Sequence, residues 1–161
     1  MNIVIANRQR AGKINTRLLK QIVTGLFAEL KITQAELGIN LVGTKEMAKV
    51  NRDYLRHEGS TDVITFSYAK PEAGGRRSKS KLHGELFVCV DVAIVQAKEF
   101  KTSWQSEVAR YIVHGVLHLL GHDDLEPDSR RKMKREENRL AHLLAQRFSL
   151  AQLSAAAKLR G

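Results

Sequence analysis

The strongest constraint on this chain is the stretch His114-Gly115-Val116-Leu117-His118-Leu119-Leu120-Gly121-His122-Asp123-Asp124. Its spacing is H-x-x-x-H-x-x-G-x-x-D. Two histidines four apart project from one face of a helix, one turn apart. Both imidazoles can then reach one metal ion at about 2.1 Å. Gly121 lets the chain leave the helix, because glycine takes up the left-handed conformation without steric cost. Asp124, three residues later, is placed to fold back as a third ligand. Three protein ligands and one open position are the plan of a catalytic zinc site rather than a closed structural one. His122 competes with Asp124 for the third position. Asp124 holds the register, so the expected set is His114, His118 and Asp124 around one Zn²⁺, with His122 outside it.

The spacing matches the long zinc motif of the metzincin proteases, H-E-x-x-H-x-x-G-x-x-H, with two changes. Gly115 stands where the protease has its general-base Glu, which argues against proteolysis. Asp124 stands where the third His would be, and carboxylate oxygens also bind zinc, at about 2.0–2.2 Å. A carboxylate adds negative charge to the ion. It should make the ion a weaker Lewis acid and leave the pKa of its water higher than three histidines would.

The motif resembles H-G-x-L-H-L-x-G-x-D-H, the signature of the YbeY-type bacterial rRNA maturation factors. His114, Gly115, Leu117, His118, Leu119, Gly121 and Asp123 are in register, and Asp124 replaces the last His. A second family-like stretch runs from Asn51 through Tyr54, Thr61 and Asp62 to Phe66. A third, Gly84-Glu85-Leu86, is similar to the family's G-D-I with Glu for Asp. The likeness covers about Met1 to Phe148. It implies a metal-dependent endoribonuclease acting on single-stranded RNA in 16S rRNA 3′-end maturation and ribosome assembly, with the small ribosomal subunit as partner. A non-catalytic RNA- or ribosome-binding factor with a weak metal site is the alternative. The family commonly carries an Arg directly after the Tyr. Here Leu55 follows Tyr54 and Arg56 comes one residue late, so Arg56 is a candidate phosphate contact. The position of Glu85 in the G-D-I-like segment makes it a candidate proton acceptor, beside His122 and Asp123.

Charge agrees with a polyanionic partner. The 161 residues hold 27 Lys and Arg against 17 Asp and Glu, a net charge of +10. A basic protein of this size is expected to meet nucleic acid. Lys70, Arg76, Arg77, Lys79 and Lys81 crowd a Gly/Ser-broken loop, and Arg130, Arg131, Lys132, Lys134 and Arg135 mark one face of a later helix. Both are expected to grip a phosphodiester backbone without reading sequence. No apolar run approaches the roughly 20 residues that span a bilayer, so no membrane is expected. No secretory signal is visible at the N-terminus. The single Cys89 excludes an internal disulfide and suits a cytoplasmic protein. It reads as buried strand filler.

The periodicities give the order βαβαβ(loop)βααα. Residues 2–7 alternate as a strand. Asn15 or Thr16 caps a helix whose stripe is Leu19, Ile22, Val23, Leu26, Phe27 and Leu30. Leu37, Ile39 and Leu41 alternate in a second strand, and Thr44 caps a short helix reaching Tyr54. Strands are expected at Val63–Tyr68 and Gly84–Val90, the latter central. Asp91 is read as the cap of the next helix, and Thr102-Ser-Trp-Gln105 as the capping box of the motif helix. Glu126-Pro127-Asp128 opens a long charged helix. Residues 149–161 form a possible helical extension. The expected fold is one α+β domain over residues 1–161, a small mixed four-stranded sheet with helices packed on it. The histidines flank the core stripe of their helix, which puts the site in a cleft at the domain edge.

Overall fold

The stripe Leu19, Ile22, Val23, Leu26 and Phe27 becomes the buried face of α1 (Thr16–Glu29), in a computed structural model that describes residues 1–55, 61–70 and 78–154. Asn15 caps it, its side chain accepting from the Leu18 N–H at 3.0 Å. Four strands form one sheet: β1 (Asn2–Asn7), β2 (Gln34–Val42), β3 (Val63–Ser67) and β4 (Lys81–Cys89). Their spatial order is β1-β2-β4-β3. The first three in that order run parallel, and β3 is antiparallel to β4. This is the mixed sheet and α+β architecture that the residue pattern implies.

Strand alternation divides the sheet into two unequal faces. Ile3, Leu37, Ile39, Leu41, Leu86 and Val88 point one way, into the main core shared with α1, α4 (Trp104–Leu119) and α5 (Pro127–Arg147). Val42, Ile64 and Cys89 point the other way and meet Met47 and Val50 of α2 (Thr44–Val50), with Phe66 and Phe87 beside them. β4 lies between β2 and β3, and Cys89 is fully buried at its end.

Several boundaries differ from the sequence expectation. β4 begins at Lys81, because its ladder with β2 starts at Gln34 and needs no apolar residue there. It gives way at Val90 to α3 (Val90–Phe100). Asp91 lies inside the first turn of α3, and its carboxylate accepts from the Thr44 N–H at 2.8 Å, so it caps α2 instead. Gly43, not Thr44, holds the cap position of α2. The helix does not run uniformly to Tyr54 either: a π-helical turn, Asn51–Leu55, follows Val50. Ser103, not Thr102, caps α4, accepting from the Ser106 N–H at 3.2 Å. Thr102 donates to the Glu107 carboxylate at 2.7 Å. A 3-10 turn, Leu150–Ser154, follows α5, and its Leu153 is buried. Residues 155–161 of the expected extension lie outside the described residues. No helix among the described residues is long and apolar enough to cross a membrane.

Candidate metal centre

α4 carries both histidines because its apolar residues leave one flank free. Val108, Ile112, Val113, Val116 and Leu117 are buried, while His114 and His118 are half-buried. The helix rides unusually close to the sheet. A Cβ on Gly115 would stand 2.7 Å from Leu86 Cδ2 and 3.3 Å from Thr65 Cγ2. A side chain there would have to displace the end of Leu86, so glycine suits this close approach where the protease has its base. The helix then stops at Gly121, whose φ of 100° lies in the left-handed region. The His122 N–H donates back to the Leu117 carbonyl at 3.0 Å, closing the helix end.

The returning segment brings Asp124 to the histidines. His114, His118 and Asp124 each offer one ligand atom, all within 4.8 Å of one another. The two Nε2 atoms are 3.0 Å apart. Two nitrogens of one tetrahedral zinc stand about 3.3 Å apart, given zinc–nitrogen distances near 2.05 Å. The donor set therefore fits a single divalent ion. Arg130 holds the segment in place, its Nε donating to the Asp124 carbonyl at 3.1 Å. Burial, and then the neighbouring His114, push the His118 pKa below the usual histidine value, although Asp124 pulls the other way. The neutral imidazole is the form that binds metal, so protons compete weakly for this nitrogen.

Behind His114 stands a residue that periodicity and motif spacing did not reveal. Glu137 of α5 is 4% exposed, and its Oε1 lies 2.6 Å from His114 Nδ1. Its other oxygen accepts from Arg110 at 2.8 Å and from Lys134 at 3.1 Å. Burial raises its pKa, but the hydrogen bonds from His114, Arg110 and Lys134 outweigh that and bring it down to about 2. The carboxylate is thus charged at neutral pH and fixes the His114 ring with Nε2 facing the ligand cluster. A carboxylate on the outer nitrogen is the usual support of a metal-bound histidine.

Of the remaining candidates, the geometry brings some to the centre and leaves others out. Asp123, His122, Thr65 and Ser67 line a cavity of about 420 Å³ on the His118 side. His122 also faces a second cavity, of about 820 Å³, with Lys79, Lys132 and Arg135. It is not part of the ligand cluster. Glu85 is on the other side of the sheet. Its neighbours Gly84 and Leu86 face α4, so strand alternation turns Glu85 away from the histidines. There its carboxylate accepts from Asn40 at 3.1 Å and from Tyr68 at 2.8 Å. Arg56 lies outside the described residues, as do Arg76 and Arg77. The basic face of α5 is partly neutralised: Arg131 pairs with Asp128, and Lys134 with Glu137.

The model of the family described as "Endoribonuclease YbeY" matches residues 4–145. This chain belongs to the YbeY family. Curated YbeY relatives support it at length. The one from Alkaliphilus metalliredigens is 31% identical over 141 residues, covering 85% of this chain and 91% of the relative. The one from Elusimicrobium minutum is 36% identical over 125 residues, covering 78% and 85%. The one from Chlorobium luteolum is 33% identical over 144 residues, covering 89% and 98%. The fold is similar to the solution structure of TM1509 from Thermotoga maritima, with a TM-score of 0.65, 21% identity and 97% of both chains covered. The YbeY match spans both the Asn51–Phe66 segment and the histidine motif.

Proposed function

We propose that this protein is a zinc-dependent endoribonuclease that cleaves single-stranded RNA, with 16S rRNA 3′-end maturation on the small ribosomal subunit as its cytoplasmic task. The observation that carries the reading is the His114–His118–Asp124 cluster, backed by Glu137, in a chain of the endoribonuclease YbeY family. His114, His118 and Asp124 would hold one Zn²⁺. When bound, the ion supplies a Lewis acid for a phosphate oxygen and lowers the pKa of water.

The chain's own residues supply the rest. Hydrolysis adds water to phosphorus, breaks one P–O bond, and delivers a proton to the leaving oxygen. Asp123, which lines the same cavity as His118, is the candidate to take the water's proton, whereas His122 faces Lys132 and Glu136. Glu85 on the far face is not. Thr65 and Ser67 offer hydroxyls to phosphate oxygens from β3. Lys79, Lys132 and Arg135 give the adjoining cavity a positive lining, which holds backbone without selecting bases. Arg56 keeps its proposed role as a phosphate contact on the family resemblance alone.

Purified protein is expected to contain one zinc per chain by elemental analysis. Cleavage of an unstructured RNA should stop with chelator and return with added zinc. RNA binding without cleavage in the zinc-loaded protein would favour the non-catalytic assembly factor instead.

A further inference from the structure

The three parallel strands end together, and the segments that leave their carboxyl ends enclose one groove. After β1 come Arg8 to Gly12, after β2 comes Gly43 and α2, and after β4 comes α3 with Asp91. The groove measures about 850 Å³ and is lined by Arg8, Arg10, Lys45, Lys49 and Arg52 together with Glu46 and Asp91. In open parallel sheets the crevice beyond the carboxyl ends of the strands is where ligands sit. The metal centre lies toward the opposite end. Leu119 packs over Gly84, five residues before Cys89, which separates the two by about 17 Å along the strand.

Both acids in this groove are already engaged. Glu46 takes a two-oxygen contact from Arg8, at 2.6 Å to the nearer nitrogen, and Asp91 accepts from the Thr44 N–H. Among the described residues Arg10, Lys45 and Lys49 have no acid partner, and all three are exposed. The acid contact of Arg52 among the described residues is one at 3.5 Å with Asp53. The loop that carries Arg10 is built. Gln9 is buried, accepts from the Ala11 and Gly12 N–H groups, and donates to the Gly12 carbonyl at 2.6 Å. Nothing large and apolar among the described residues lines the groove. Among the described residues Ala11 and Ala48 are its only hydrocarbon side chains. A protein partner would need an aromatic or aliphatic anchor, and base stacking would need an aromatic platform. Charged forks and ammonium groups without either suit the sugar–phosphate backbone.

We propose that this groove is a second RNA-backbone site, separate from the metal centre, which holds the substrate some distance from the bond that is cut. The proposal rests on the reading of RNA as substrate. It adds affinity only for RNA long enough to reach both places, and it has no base preference.

The test compares the triple variant Arg10→Glu, Lys45→Glu, Lys49→Glu with a control of equal charge change on α1 and its end, Arg17→Glu, Lys20→Glu, Lys31→Glu. Binding of an unstructured 20-nucleotide RNA and of a 4-nucleotide RNA is measured across salt concentrations. An alanine version of the triple variant guards against misfolding, and zinc stoichiometry reports that the centre is intact. For the long RNA the triple variant should bind at least about 10-fold more weakly than the control at about 0.1 M salt. Its slope of log K against log salt should fall by about 2, near 0.7 per lost phosphate contact on a single strand. Binding of the short RNA should match the control. Equal losses in variant and control, or a long-RNA affinity like the control's, overturn the groove site while leaving the nuclease reading in place. Loss of binding to an acidic protein in the triple variant, with RNA affinity equal to the control's, overturns it in favour of a protein surface. Absence of RNA binding by the parent protein overturns both readings.

Discussion

His114→Ala is expected to abolish zinc binding at micromolar metal while leaving the domain folded. In the proposed site His114 would give one of three ligand atoms, and His118 and Asp124 alone would not hold an ion with an open position. The fold does not depend on the ring. His114 is half-buried on the flank of α4, and the core stripe of Val108, Ile112, Val113 and Val116 is untouched by the change. The buried Glu137 would also keep two partners, Arg110 and Lys134, so no buried charge is left alone. Circular dichroism and a thermal melt should resemble the parent's, and RNA cleavage should be undetectable. Global unfolding of this variant would make the histidine a structural residue and remove the basis of the metal assignment.

Glu137→Ala should act on zinc and on the fold together. The variant frees the His114 ring to rotate and lets its tautomer drift, so zinc affinity should drop about 10- to 100-fold. Removing one partner of a buried ion pair costs about 3–5 kcal/mol when the other charge stays buried. Here Arg110 and Lys134 are 33% and 63% exposed and keep water, so about 2 kcal/mol is expected. In a chain of this size that lowers Tm by about 4–8 °C. Glu137→Gln separates the two effects. It fills the same space and can still accept from His114, so it should recover more of the zinc affinity than of the stability. Zinc binding unchanged in both variants would leave Glu137 with a purely structural role.

The metal motif was legible because its information is local. Helical periodicity alone puts His114 and His118 one turn apart, and one glycine with a positive φ turns the chain back to Asp124. The order of elements and the mixed sheet were legible for the same reason, since alternation and apolar stripes announce each strand and helix. Glu137 was not found, because it lies 23 residues from its histidine and its contact is tertiary. A signal existed. Met133, Glu137, Leu140 and Leu144 share one stripe of α5, and a carboxylate in the middle of a buried stripe needs a partner. Glu85 shows the opposite failure. Its placement rested on resemblance, whereas simple strand parity with Leu86 already turned it from the core side that holds the motif helix. The cap positions were missed by one residue at Thr102 and Thr44. At α4 the adjacent hydroxyls of Thr102 and Ser103 compete for one cap, and Thr102 turns to Glu107 instead. At α2 Gly43 takes the cap position, and the Thr44 N–H is met by Asp91 from α3.

The proposed function depends most on Asp124, rather than His122, completing the zinc site. Zinc titrations of Asp124→Ala, Asp124→His and His122→Ala test it in one series. Asp124→Ala should weaken zinc by at least about 100-fold, as loss of a direct ligand should exceed the 10- to 100-fold of a supporting residue. Asp124→His should bind zinc more tightly than the parent, since it supplies a third imidazole at the same place. His122→Ala should change affinity less than about threefold, because its ring faces Lys132 and Glu136 rather than the ligand cluster. A large loss in His122→Ala beside a small one in Asp124→Ala would contradict the ligand set and the mechanism built on it.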